Sequence, residues 1–309
     1  MYRKKILVVG GTGFIGFHLI KKLKKKKFSI TSLSLNKVKK INRINKIKYI
    51  FCDISKKIQL KKKIQSEYDY IVNLGGNVDH SNKKETFQSH YIGSKNLIDI
   101  FKKKNIQKFI QIGSSTEYGF EKSPQKEEKN RKKRKLKSIY SRSKLKTTNY
   151  AISLYQKHKF PITVVRIFLA YGPRQKLDRL IPYVIQSGLM NLNFHCSAGE
   201  QVRDYIYIDD VVNFIILLLK NKKTNGEILN LGRGVPVKIN FVINEIIRQI
   251  KKGKPIFGSI KLRKDEPEKL YADLNKAKKF LNWYPKINLK NGIKKTIRYY
   301  EDNFKKTNR

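Results

Sequence analysis

Three side chains in this sequence have the types and spacing for proton chemistry at a carbonyl or carbinol. Tyr140 and Lys144 stand four residues apart in YSRSK at 140–144, a spacing that puts both on one face of a helix. An ammonium beside a phenol is expected to lower its pKa from about 10 towards the working range, so the tyrosine can exchange a proton while a cofactor exchanges hydride. A Tyr/Lys pair alone is usually a surface coincidence. Here GSSTEYG at 113–119 lies upstream, after an apolar run at 109–112, and offers the Ser114 hydroxyl at the carboxyl end of a strand. Ligands bind at that end in open parallel sheets.

A phosphate-binding loop precedes these residues. GGTGFIG at 10–16 follows the apolar run at 6–9 and, from Gly11, reads G-x-G-x-x-G. That spacing gives a tight turn, close backbone approach to a pyrophosphate and tight helix packing, with the helix N-terminus donating amides to the anion. Cofactor choice turns on the end of the second strand, where an NAD enzyme usually places a carboxylate for the ribose hydroxyls. Ser34, Leu35, Asn36 and Lys37 stand there instead. No carboxylate repels a 2′-phosphate and Lys37 attracts one, so NADP(H) is favoured and NAD(H) is the alternative. Asp53, after the third strand, is better placed to cap the adenine end.

The elements that must position these groups follow from hydrophobic period. Apolar runs at 6–9, 30–35, 47–51, 70–74, 109–112 and 162–168 alternate with helix-length segments, including 17–25, 93–104 and 141–158. Such alternation implies an α/β fold of Rossmann type, a doubly wound parallel sheet. Past residue 170 the alternation loosens, which divides the chain into a dinucleotide-binding domain, 1–170, and a smaller, mainly substrate-binding lobe, 171–309, with some segments returning to the sheet.

Composition sets bounds on function. The chain has 309 residues with 70 Lys+Arg against 23 Asp+Glu, a formal charge of +47 and far above the magnitude of about 2–8 that suits a small soluble domain. With 39% hydrophobic and 11% aromatic residues it is not a disordered basic protein. The lysines are dispersed among Ile and Asn rather than gathered on one motif, so a compositional bias explains them better than a specific nucleic-acid partner. The densest run, 131–135, reads as a solvated loop. The apolar stretch 211–219 is about half the ~18 residues of a membrane span. The amino-terminal segment has too short an apolar core for a secretory signal. Cys52 and Cys196 form neither a metal spacing nor a disulfide framework. A cytoplasmic protein with reduced thiols, no metal and no membrane partner is expected.

Taken in order, GGTGFIG, CDI at 52–54, NLGGNVDH at 73–80, SSTEYG, YSRSK, RIFLAYGPRQ at 166–175, RDYIYIDDV at 203–211, NLG at 230–232 and YADLNKAKKFLNWYP at 271–285 resemble the extended short-chain dehydrogenase/reductase family, in its nucleotide-sugar epimerase/dehydratase/reductase branch. The resemblance covers nearly the whole chain. It implies a catalytic set of Ser114, Tyr140 and Lys144, and a cofactor cradle of Gly10, Gly13, Phe14, Ile15, Gly16, Ser34, Lys37, Asp53, Ile54, Leu74 and Gly75, besides Tyr140 and Lys144. It also implies substrate contacts from Ser115, Thr116, Arg203 and Arg263, the arginines holding a nucleotide diphosphate through bidentate donors. The plain alternative for Arg203 is a structural pair with Asp204 or Asp209. A homodimer through the helices at 93–104 and 141–158 is a further implication.

Departures from the family pattern bear on the reaction. The sugar 4,6-dehydratases of this family carry an Asp-Glu pair after the catalytic hydroxyl. This chain has Ser115 and Thr116 there, and Glu117 falls one place late, which disfavours dehydration. Leu169 stands where many epimerases have Asn, and His90 where the family often has Asn, either packed or acting on a water relay. The leading expectation is reduction of a nucleotide-activated 4-keto sugar by NADPH. The alternatives are a nucleotide-sugar 4-epimerase that retains NAD and a catalytically idle member of the fold that binds polyanions.

Overall fold

The structure is a computed structural model and describes residues 3–38, 43–77, 79–127, 136–261 and 266–307. Seven strands form the main sheet: β1 Lys5–Val9, β2 Ser29–Ser34, β3 Lys48–Phe51, β4 Tyr70–Asn73, β5 Lys108–Ser114, β6 Ile162–Ile167 and β7 Ile228–Leu231. Their order is β3-β2-β1-β4-β5-β6-β7 and every pairing is parallel. This is the doubly wound order, whose direction reverses between β1 and β4. Strands such as KILVV and ITVVRI are buried almost throughout, as a sheet covered on both faces requires.

Alternate residues of β1 show how the layers arise. Ile6 and Val8 face one core with Leu19, Ile20 and Leu23 of helix α1, Phe14–Lys25. Leu7 and Val9 face the other with Leu97, Ile98 and Phe101. The second core also takes Ala151, Ile152 and Leu154 from a later helix, Ile139–His158. Each fully buried aliphatic side chain contributes about 1.5–3 kcal/mol, so both faces of the sheet are held independently.

Two helices differ from expectation. The first begins at Phe14 rather than residue 17, because Gly13 is its N-cap and the last glycine of the loop already lies in the helix. The helix expected at 93–104 is the tail of a longer run, consisting of Lys83–Phe87, a π-helical turn Gln88–Ile92 and Gly93–Phe101. Its first half escapes a periodicity search because Ser89 and His90 replace apolar residues on the inward side. The run 211–219 lies in a helix, Ile208–Lys220, and no helix among the described residues is long and apolar enough to cross a membrane. The segment 131–135 lies outside the described residues.

Short strands beyond β6 build the second region. Leu169–Tyr171 pairs with Tyr205–Tyr207, Asn193–His195 with Lys254–Ile256, and Val202–Arg203 lies between Val237–Lys238 and Lys269–Leu270. Ile228–Leu231 rejoins the main sheet at its edge.

At the amino end of β5, Lys108 is buried and its ammonium donates to Asn221 O at 2.8 Å, Thr224 Oγ1 at 2.8 Å and Asn225 Oδ1 at 2.6 Å. The acceptors are neutral, and burial lowers its pKa to about 7. Because the folded value lies below the unfolded one, the unfolded chain binds the extra proton between about pH 7 and about pH 10.4, and this group's destabilisation fades as pH rises through that window. Relative to Lys108→Met, the wild type should therefore gain melting temperature from pH 7 to pH 10. A difference constant across that range would show that Lys108 does not titrate there.

Candidate active site

Strand β5 ends at Ser114, which caps the 3₁₀ turn Ser115–Tyr118 in a reciprocal arrangement with Glu117. The Ser114 hydroxyl accepts from Thr116 N at 3.2 Å and exchanges a hydrogen bond of 3.0 Å with Thr116 Oγ1. Glu117 turns inward and is fully buried. Its carboxylate accepts from Ser114 N, from Thr148 Oγ1 and from Arg166 Nε, each at 2.8 Å. Gly113 leaves room for it, since a Cβ there would meet Glu117 Oε1 at 2.4 Å. Arg166, from β6, also lies over the Tyr118 ring at 4.6 Å, and the Tyr118 hydroxyl donates to Asn230 Oδ1 on β7 at 2.6 Å. Burial raises the Tyr118 pKa to about 12, so that hydroxyl remains a donor.

Tyr140 and Lys144 stand in the first turns of helix Ile139–His158, whose N-cap Ser138 accepts from Ser141 N. Lys144 is buried, donates to Ile112 O at 2.9 Å and lies 5.9 Å from the Tyr140 ring centre. Burial lowers its pKa to about 8, with Glu117 acting in the opposite sense. The expectation that the ammonium depresses the phenol is corrected here. Burial raises the Tyr140 pKa, a hydrogen bond with Ser114 draws it down, Glu117 raises it and Arg179 lowers it. Desolvation of the phenolate outweighs the favourable contacts.

Two imidazoles border Tyr140. His80 stacks on its ring at 4.0 Å and 17°, while His90 meets it edge-on at 4.8 Å and 77°. Both Nε2 atoms donate to the Asn77 carbonyl, at 3.0 Å and 2.8 Å. Burial, chiefly, lowers the His90 pKa to about 2 and also lowers that of His80, so both rings are neutral in the physiological range. His90 Nδ1 is buried without a partner. The ring presses against Gly76 (φ +147°), where a Cβ would lie 2.1 Å from Cε1. The stacking of the exposed His80 on Tyr140 has no sequence signal, because the two residues are sixty positions apart.

The glycine loop occupies the switch point. Gly10 (φ +76°) passes so close to β4 that a Cβ would lie 2.9 Å from Leu74 O, and Gly16 so close to the loop that one would lie 2.2 Å from Gly10 O. Gly13 begins the helix bearing Phe14 and Ile15, with no side-chain cap and no acidic residue in the first turn. The first-turn amides are therefore not satisfied by a side chain, which fits a pyrophosphate. Gly75 N is bonded by the Asn73 side chain at 3.0 Å, which fixes the β4 side of the crevice. Ser34 ends β2 and its hydroxyl accepts from Thr12 N at 3.3 Å, tying the loop to the strand. Lys37 is exposed, Asp53 accepts from Ser55 N at 2.8 Å, and Ile54 packs beneath Gly93.

The substrate-side residues divide. Ser115 is buried in the turn, and Thr116 is half-buried against Ser114. Arg203 is buried, donating to Val202 O at 2.8 Å, Glu268 O at 3.1 Å and Glu266 Oε1 at 2.7 Å. The alternative pairing with Asp204 or Asp209 is thereby corrected. Asp204 instead accepts from the amides of Arg233, Gly234 and Ala272. Beside Arg203 is a cavity of about 430 Å³ lined by Glu200, Glu266, Glu268, Lys238 and Lys269 among others. Arg263 lies outside the described residues.

A seven-stranded parallel sheet in this order, with a glycine turn at its switch point and Ser, Tyr and Lys beside it, defines a Rossmann-type dinucleotide-binding protein. The chain belongs to the NAD dependent epimerase/dehydratase family, which it matches over residues 6–232. It is 28% identical to dTDP-D-glucose 4,6-dehydratase of Homo sapiens over 98% of this chain and 91% of that protein. It is 30% identical to UDP-glucuronate 4-epimerase of Thermodesulfobacterium geofontis over 70% of this chain and 66% of that one. Among solved structures it superposes on UDP-glucose 4-epimerase of Thermotoga maritima with a TM-score of 0.88 at 25% identity, covering 97% of this chain and 99% of that one.

Removing one partner of a buried ion pair strands the other charge. Glu117→Ala should cost about 3–5 kcal/mol of unfolding free energy by denaturant titration. A loss below about 1 kcal/mol would show that the Arg166 charge finds another partner.

Proposed function

We propose that the protein transfers hydride at C4 of a nucleotide-activated sugar without eliminating water, acting as a 4-ketoreductase. The observation that carries this reading is Glu117. The acid-pair positions are Ser115 and Thr116, and the nearby carboxylate is locked against Arg166, Thr148 and Ser114 N, unable to protonate a leaving hydroxyl. The remaining set suits exchange between carbonyl and alcohol.

A nicotinamide cofactor supplies hydride chemistry when bound, and the uncapped helix at Gly13 and the close turns at Gly10 and Gly16 fit its pyrophosphate. The lack of a carboxylate at the end of β2 and the exposed Lys37 support NADP(H) over NAD(H). In reduction, Tyr140 donates its proton to the oxygen at C4, and Ser114 donates a hydrogen bond to the same oxygen as charge develops. Lys144, with its pKa lowered to about 8, holds a mobile proton one helical turn from Tyr140. His80 and His90 pack on the phenol ring, and its burial favours the protonated, donating form. Arg203 reaches a diphosphate only by exchanging its bond to Glu266.

A nucleotide-sugar 4-epimerase is the second reading, supported by the named activities of the UDP-glucuronate and UDP-glucose 4-epimerases it resembles. It uses the same side chains but retains its cofactor through the cycle.

Two measurements test the reading. Protein purified without added cofactor should contain no tightly held NAD and should bind NADPH more tightly than NADH. Retained stoichiometric NAD would favour the epimerase. On a nucleotide 4-keto-6-deoxy sugar, Tyr140→Phe should lose about 10²–10⁴ of turnover while still binding cofactor. Undiminished turnover would remove Tyr140 from the mechanism.

A further inference from the structure

On the outer face of α1, away from Ser114 and Tyr140 in the sequence and the layers, lies a cleft of about 500 Å³ lined by Phe17, Lys21, Lys24, Lys25, Arg43, Ile44 and Arg174. Phe17, Lys21, Lys24 and Lys25 fall at i, i+4, i+7 and i+8, one stripe of the helix. The cleft thus gathers five cations and no carboxylate. Among the described residues none of the five makes an ion pair.

Lysines crowd much of this surface, so crowding alone carries no argument. Two features set the cleft apart. Its arginines are oriented: Arg174 lies 3.9 Å from the Phe17 ring centre, and Arg43 lies 5.5 Å from that of Tyr49 and 5.6 Å from that of Phe51 while donating to Val38 O. These cation–π contacts hold the guanidinium groups at the rings and leave donors for an oxyanion. The second feature is what the chain does elsewhere when lysines converge. Lys57, Lys95 and Lys102 surround Asp99 at 3.9, 2.8 and 3.6 Å, a built-in anion at the centre. The α1 cleft has the same convergence of cations with the centre left to a ligand.

We propose that this cleft binds a compact polyphosphate, a molecule with two or more contiguous phosphates. Its volume falls in the range of about 300–1,000 Å³ usual for small-molecule sites. Five cations more than neutralise a tri- or tetra-anion. The lysines of the cleft lie beyond the dinucleotide cradle, since Lys21 and Lys24 are eight and eleven residues past Gly13 on one helix, about 12 and 16 Å along its axis. The proposal does not depend on the reaction assigned above.

Calorimetric titration with inorganic tripolyphosphate, at 150 mM salt and with the dinucleotide site saturated, tests it. One molecule should bind per chain. Arg43→Gln/Arg174→Gln should weaken binding at least about tenfold, a modest loss for two charge-assisted contacts. Lys61→Gln/Lys62→Gln, which removes the same charge from the exposed face of helix Lys57–Lys63, should change it less than about twofold. Lys21→Gln/Lys24→Gln, with both substitutions exposed, provides a second cleft variant should the arginine pair alter the melting temperature. Tighter binding of ATP would mark the ligand as a nucleotide, and tighter binding of tripolyphosphate as inorganic; both support the site. Equal weakening in the cleft and control variants, several sites per chain, or loss of binding on saturation with dinucleotide would overturn it.

Discussion

The buried ion pair between Glu117 and Arg166 is the constraint on which the catalytic region depends. Glu117 holds the amide of Ser114, the hydroxyl of Thr148 and the guanidinium of Arg166, so one carboxylate ties the end of β5 to helix Ile139–His158 and to β6. Arg166 lies over Tyr118, which bonds Asn230 on β7. The positions of Ser114 and of the helix carrying Tyr140 and Lys144 follow from these contacts. Such a pair is expensive to desolvate and is weak evidence for net stability. Arg166 Nη1 is buried without a partner, which adds to the cost. What the pair supplies is geometry, in that an apolar replacement filling the same space would not fix the Ser114 amide or Thr148.

That constraint also shapes the chemistry. A carboxylate used to hold three donors is withdrawn from acid–base work, and the hydroxyls of Ser114, Ser115 and Thr116 are left around the strand end. Tyr140 then works against its own desolvation. Lys144 donates to Ile112 O, and its own pKa falls, because the same burial acts on both groups. Burial favours the protonated tyrosine, the form that can donate a proton.

Legibility in the sequence follows sequence distance. The sheet strands, the glycine turn and the Ser/Tyr/Lys set are visible because each is a local pattern, an apolar run or a short motif whose geometry is set within a few residues. Arg166 and Glu117 are 49 residues apart, and Arg203 and Glu266 are 63 apart, so neither pairing has a local signature. Glu117 was in view as a residue out of register, yet only the fold shows that it faces Arg166. Helix Lys83–Phe87 and the π turn after it were hidden for a related reason, since Ser89 and His90 point inward to serve Asn77 and Tyr140 rather than an apolar core. Lys108 looks like any other lysine until its three neutral acceptors are assembled from residues 221–225.

The excess of positive charge acquires structure once the acids are located. Asp204 accepts from three backbone amides, Asp210 holds the amides of Lys286 and Ile287, and Glu117 is sealed in the core. Asp99 serves three lysines at once. These four carboxylates thus serve interior and bridging tasks, and much of the lysine surface is left to solvent and counterions. A field of that sign draws anionic ligands towards the whole molecule, over about 8 Å at physiological ionic strength and farther in dilute salt. Because the field has little shape at that range, discrimination falls to the few cations with fixed geometry. Those are the arginines stacked on aromatic rings or bonded to backbone carbonyls, whose donors have fixed directions before any anion arrives.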